Sequence, residues 1–128
     1  MKEQNLKYAY VNEQLLPLGK AVVHISDLAI QRGYGIFDFF KIQEGHPYFL
    51  DDYLHRFHQS ATLMHLEVPH QQEVLKSMIY TLMEKNKLFQ SGIKLILTGG
   101  YSEDGYQPAA PNLVITQQDF SLPGGDQL

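Results

Sequence analysis

The sequence predicts an α+β domain, an antiparallel sheet with two helices packed on one face. Three observations predict it. Short apolar runs broken by tight-turn residues come first; two successive segments with apolar residues three and four apart follow; alternating runs then return from Ile93 onward. Blocks of strands, then helices, then strands give segregated layers rather than the alternating order of a parallel sheet.

The chain has 128 residues, of which 44% are hydrophobic and 19% charged, enough for one core and ordinary for a globular domain. A net charge of -4 without clustered Lys and Arg argues against a nucleic-acid partner. Zero cysteines remove disulfides, thiolate metal sites and cysteine nucleophiles together, which is compatible with a reducing compartment. The polar start from Met1 to Lys7 carries no signal-peptide pattern. No run approaches the roughly 20 apolar residues that span a bilayer. The expectation is a cytoplasmic protein with no membrane partner.

In order, Tyr8 to Val11 reads as a strand that turns at Asn12-Glu13 and returns through Leu15 and Leu16, with Pro17 and Gly19 breaking it. Ala21 to Ile25 is apolar and partly β-branched, a strand signal. Ser26-Asp27 offers a cap for a brief helical turn through Gln31, which Gly33 and Gly35 end. From Ile36, period-2 alternation puts Ile36, Asp38, Phe40 and Ile42 on one face and Phe37, Phe39 and Lys41 on the other, with both faces expected to be covered. Asp38 then requires a hydrogen-bonded partner. Glu44-Gly45 forms a tight turn, and Tyr48 to Leu50 is expected to pair back as the next strand.

Asp51 or a neighbour caps a helix whose stripe is Leu50, Leu54, Phe57, Ala61 and Met64. A second helix, from about Gln71 to Lys85, turns Val74, Leu75, Met78, Ile79 and Leu82 inward and stops near Asn86. Ile93, Leu95 and Leu97 alternate with Lys94, Ile96 and Thr98 as a strand. Leu113 to Thr116 is the last one. Residues 1–120 form the domain, and the Pro123-Gly124-Gly125 tail, 121–128, reads as the start of a linker.

The chain carries only two arginines, Arg32 and Arg56, against eight lysines. At about 100° per residue, Arg56 shares a helix flank with Ser60 and Leu63, beside the apolar stripe. Spacing alone favours a surface arginine whose stem covers the core. The functional reading is an anion clamp, for which a planar guanidinium is better suited than an ammonium. Asp51, His55 and His58 share another flank at metal-ligand spacing, yet no third histidine has an obvious place there, and no metal is expected. The Gly-x-Ser-x-Gly elbow of a nucleophilic hydrolase is absent.

The run Arg32-Gly33-Tyr34-Gly35-Ile36-Phe37-Asp38, then Gly45, then Arg56-Phe57-His58-Gln59-Ser60-Ala61, resembles the fold-type IV pyridoxal-phosphate enzymes. These are the branched-chain and D-amino-acid aminotransferases and the aminodeoxychorismate lyases; their pattern is an aromatic-Gly-x-x-Val-Phe-Glu strand, a Gly turn and a helix with Arg-Leu-x-x-Ser-Ala. The likeness extends from about Tyr8 to Phe120. It implies an N-terminal aminotransferase domain, pyridoxal 5'-phosphate as cofactor, and amino acids and keto acids as substrates.

By the same resemblance, Arg56 holds the cofactor phosphate, and Phe37, Phe39, Lys41 and Arg32 line the substrate side. The sequence departs from the pattern at Arg32, where Tyr or Phe is usual, at Asp38 for Glu, at Lys41 and Lys94 for Arg, and at Gly99 for the arginine of a Thr-Arg-Gly run. The family's Schiff-base lysine and the carboxylate beside the ring nitrogen belong to a second domain, and Lys20, Lys41, Lys76 and Lys94 do not match that lysine. No residue of this chain is therefore expected to be catalytic by itself. The chain alone is expected to be inactive and, because an apolar face would lie uncovered, to self-associate or form a homodimer. An aminodeoxychorismate lyase and a non-enzymatic binding or dimerisation domain are the alternatives.

Overall fold

In the computed structural model, which describes residues 7–120, Tyr8–Val11 (β1) and Gln14–Pro17 (β2) pair as an antiparallel ribbon. Asn12 turns it at φ 56°, a left-handed conformation that Asn tolerates better than most side chains. Leu18–Lys20 is a single 3-10 turn. Ala21 to Ile25, expected as a strand, forms none, and Val22 and Ile25 are exposed. A β-prone run without a partner strand gains nothing from its propensity.

Asp27 caps the short helix Leu28–Arg32 (α1) by accepting the Ala29 N–H at 2.8 Å, and Gly33 closes it in the left-handed region. Gly35–Ile42 (β3) then runs to the Glu44-Gly45 turn, whose two positive φ values, 52° and 76°, suit a tight reversal. The return strand expected at Tyr48 to Leu50 is absent. A single bridge between Gln43 and His46 closes the turn, Phe49 swings to φ 61°, and Leu50–Leu63 (α2) starts at once. No side chain caps that helix. Asp51 and Asp52 lie instead in its first turn, where negative charge complements the exposed N–H groups.

Gln72–Asn86 (α3) ends in the left-handed Lys87, and Ser91–Thr98 (β4) and Leu113–Asp119 (β5) complete the sheet. The strand order is β2-β1-β5-β4-β3, antiparallel throughout, so β3 is an edge strand whose register sets Phe40 opposite Ile93 and Asp38 opposite Leu95. Leu54, Phe57, Leu75, Ile79 and Leu82 of the helices are fully buried against Phe40, Ile93, Leu95, Leu97, Leu113 and Ile115 of the sheet. The α+β architecture with both long helices on one face is therefore as the sequence predicts.

The margins differ. Met64 and Val74, expected in the stripes, stay partly exposed, at 38% and 45%, and Leu63, beside Arg56, is 80% exposed. Phe37 is 68% exposed. The second face of β3 is open along part of its length rather than covered, because both long helices lie on the other side. Among the described residues no helix is long and apolar enough to cross a membrane.

Candidate functional site

Asp38 and Arg56 meet where α2 crosses the edge strand. Alternation along β3 turns Asp38 to the helix side with Phe40 and Ile42, and α2 places Arg56 one position before the fully buried Phe57, at the rim of the core. The Arg56 Nε–H donates to Asp38 Oδ2 at 3.0 Å and its Nη2–H donates to Oδ1 at 2.5 Å. Oδ1 also accepts the main-chain N–H of Phe39 at 2.9 Å. This supplies the partner that Asp38 requires.

The guanidinium carbon sits 4.8 Å from the centroid of the Tyr53 ring, and that ring stacks on Phe40 at 5.3 Å. The Arg56 side chain is 57% exposed while that of Asp38 is 12% exposed. The hydrogen bond to Asp38, and then its charge, raise the Arg56 pKa further above its ordinary range. Two of a guanidinium's five N–H groups are taken by Asp38, and the others meet no acceptor among the described residues. The result is a fixed, cationic, outward-facing donor set.

Phe37, Phe39 and Lys41 project from the opposite face of β3. Phe37 lies in a cleft of about 240 Å³ with Ala29, Gly33, Gly35 and Ile96, and the Lys94 ammonium stands 5.3 Å from its ring centroid. Phe39 and Lys41 belong to a second cleft, of about 310 Å³, with Tyr48, Phe49 and Tyr53. Tyr53 thus joins that cleft to Arg56. Arg32, at the end of α1, rests its guanidinium 5.0 Å from the Tyr34 ring centroid. The fold therefore sets Arg56 on the helix side of β3, Phe37, Phe39 and Lys41 on its other face, and Arg32 apart at the end of α1.

A polar network fixes the neighbouring loops. The fully buried Asp27 accepts from Thr98 Oγ1 at 2.7 Å and from Asn112 Nδ2 at 2.8 Å, and Asn12 donates to Asn112 Oδ1 at 3.1 Å. Every Asp27 oxygen is satisfied, as a buried carboxylate requires. Asp51, His55 and His58 do not converge. Asp51 pairs with Lys76 at 3.2 Å, and both His58 nitrogens face carbonyl oxygens, those of Leu54 and His70.

Sequence reasoning leaves the Asp38 partner unnamed and passes over Tyr53. A signal for Tyr53 is present, since it precedes Arg56 by three positions on the same helix and so lies beside it. The Asp38 pairing has none, because it depends on the rotation of α2 against the sheet.

The amino-transferase class IV family model matches residues 35–127. A D-alanine aminotransferase from Listeria innocua is 24% identical over 89% of this chain and 37% of its own length. Among solved structures, the Escherichia coli branched-chain amino acid aminotransferase superposes with a TM-score of 0.84 at 18% identity, over 89% of this chain and 41% of that one. The branched-chain aminotransferase of the thermophilic archaeon Thermoproteus uzoniensis, solved with norvaline, gives 0.78 at 18%, over 91% and 41%. A further branched-chain amino acid aminotransferase, from T.th. and solved with pyridoxamine 5'-phosphate, gives 0.82 at 17%, over 96% and 43%. The chain thus spans about two-fifths of the length of these relatives. With β3, its turn and the Arg56 helix all inside the matched segment, the chain belongs to the class IV aminotransferase family.

Proposed function

We propose that the chain forms the cofactor-facing part of an aminotransferase that moves amino groups between amino acids and keto acids. The Arg56 fork carries this reading. It is cationic, held at one edge by Asp38, seated on Tyr53 and open on its remaining N–H groups, which is the donor set a phosphate monoester requires. The phosphate end of pyridoxal 5'-phosphate therefore fits the residues present. Asp38, committed to Arg56 and to the Phe39 N–H, is not available to partner a ring nitrogen.

When bound, pyridoxal phosphate supplies the electron sink that loosens bonds at the amino-bearing carbon. This chain's residues do the holding. Arg56 takes the phosphate on the helix side of β3; Phe37, Phe39 and Lys41 line the substrate on the other side; Arg32 adds a cation at the end of α1. Because β3 is an edge strand, a ligand lying along its free edge reaches both faces. By the family resemblance, the lysine that joins the cofactor is supplied by another part of the assembled enzyme, consistent with this chain's spanning about two-fifths of its relatives' length. The exposed Phe37 side is the surface on which that part, or a second copy, closes.

The test is an amino-donor panel, D and L, with 2-oxoglutarate and pyridoxal phosphate, run on the full gene product. Donor-dependent glutamate formation is expected, and Arg56→Ala should raise the cofactor concentration needed for half-maximal rate by tenfold or more. Absence of exchange with every donor would overturn the reading.

A further inference from the structure

Asp38 is an unusual neighbour for an anion clamp. A carboxylate that touches the clamping guanidinium repels an incoming phosphate, and by charge alone a neutral residue there would strengthen binding. Its geometry supplies the reason to keep it. The Asp38 carboxylate is itself anchored, because Oδ1 accepts the Phe39 N–H, a main-chain group that the β4 ladder leaves free. From that anchor the two oxygens engage Nε and Nη2 together, so the plane of the guanidinium is set by the backbone of β3 rather than by the helix that carries it.

Arg56 needs such a constraint. Its side chain is 57% exposed and turns about four bonds, so an unpaired Arg56 would spread its N–H groups over many directions. Tyr53 limits the guanidinium from one face, and the stacking of Tyr53 on Phe40 fixes that platform to the core. A face contact still allows in-plane rotation. The Asp38 fork removes it.

We infer that Asp38 is a positioning residue, which orients the free N–H groups of Arg56 toward a phosphate monoester and whose orienting effect outweighs its own repulsion of that ligand. The inference rests on the reading of Arg56 as the clamp. It assigns Asp38 a role in ligand binding without contact between Asp38 and the ligand.

Two effects of opposite sign make the test sharp. Binding of pyridoxine 5'-phosphate and of pyridoxine, neither of which has an aldehyde to react with lysines, is measured by calorimetry on the full gene product. The ratio of the two affinities reports the phosphate contact alone, and a general loosening of the fold lowers both affinities together. Arg56→Ala is expected to cut the ratio by tenfold or more. Asp38→Ala is expected to cut it at least threefold although it removes a negative charge, and Asp38→Asn, which retains one acceptor oxygen, to cut it less. In the Arg56→Ala background, where only the repulsion remains, Asp38→Ala should no longer lower the ratio and should leave it level or raise it.

A ratio that rises or stays level in Asp38→Ala while Arg56→Ala loses it overturns the positioning role and leaves the clamp standing. A ratio unmoved by Arg56→Ala overturns both. A further fall on adding Asp38→Ala to Arg56→Ala also overturns the inference, since Asp38 would then act without Arg56. Should Asp38→Ala fail to fold, Asp38→Asn decides by the direction of its change.

Discussion

Phe39 lies over Gly92. A Cβ built on Gly92 would stand 2.3 Å from Phe39 Cζ and 2.9 Å from Phe120 Cε2, so the missing side chain is what lets both rings settle on β4. Gly92 is opposite Lys41 in the ladder, which makes Phe39 its diagonal neighbour on the open face. On that face Phe39 and Phe120 therefore cover Gly92, whereas Phe37 is bare.

Gly92→Ala should displace the Phe39 ring and cost about 1 kcal/mol, the balance of roughly 1 to 3 kcal/mol for overpacking and a smaller gain in chain entropy. In a Phe39→Ala background, where only the 2.9 Å approach of Phe120 remains, the same change should cost clearly less. Urea unfolding of the four variants measures both costs. An equal effect in both backgrounds would show that Phe39 is not what Gly92 accommodates.

The two faces of the sheet should respond differently to loss of an aromatic ring. Phe57→Ala removes a fully buried side chain from the joint of α2 with the sheet and should cost roughly 3 to 5 kcal/mol. Phe37→Ala, at 68% exposure, should stay within about 0.5 kcal/mol of the parent. Thermal melts compare them directly, and a large loss for Phe37→Ala would mean that its face is covered in solution.

Asp104 organises the loop after β4. Its carboxylate accepts the N–H groups of Tyr106 and Gln107, at 2.8 and 2.9 Å, and these bonds lower its pKa below the usual 3.8. A depressed folded value means that the contribution is present above the unfolded value and is lost as pH falls through the folded one. Amide exchange at Gln107 and Tyr106 should therefore still be protected at pH 3.8 and lose its protection only at lower pH, as the carboxylate protonates. In Asp104→Asn that pH step should vanish. A step of the same size in that variant would refute the assignment.

The layers are legible in the sequence because periodicity is a property of single segments. Leu54, Phe57 and Ala61 announce one buried stripe, Leu75, Ile79 and Leu82 another, and Ile93, Leu95 and Leu97 a strand, and all of them are buried as their spacing requires. Segments whose state depends on a neighbour read less well. Tyr48 to Leu50 has strand-forming side chains, yet Phe49 takes a left-handed conformation so that Leu50 can enter the core on a helix. Val22 and Ile25 have the right shape for a ladder that no strand among the described residues offers them.

The candidate site is legible in part for the same reason. Arg56 can be singled out by its rarity and its flank, but its pairing with Asp38, across 18 positions, is a fact of how α2 sits on β3. Likewise Asp27 is readable as a cap from its place before Leu28. Its bonds to Thr98 and Asn112, 71 and 85 positions away, are not.

The central position of β5 between β1 and β4 governs how the molecule is built during synthesis. Tyr10 pairs with Ile115 and Val11 with Val114, so the first ribbon made is the last to find its neighbour. Until the ribosome has released the segment from Leu113 onward, β1 and β2 remain a two-stranded hairpin, which is marginal in water by itself. Closure over so long a stretch of chain is slow, and a nascent chain stalled before that point offers an unpaired β1 edge to chaperones or to other copies of itself.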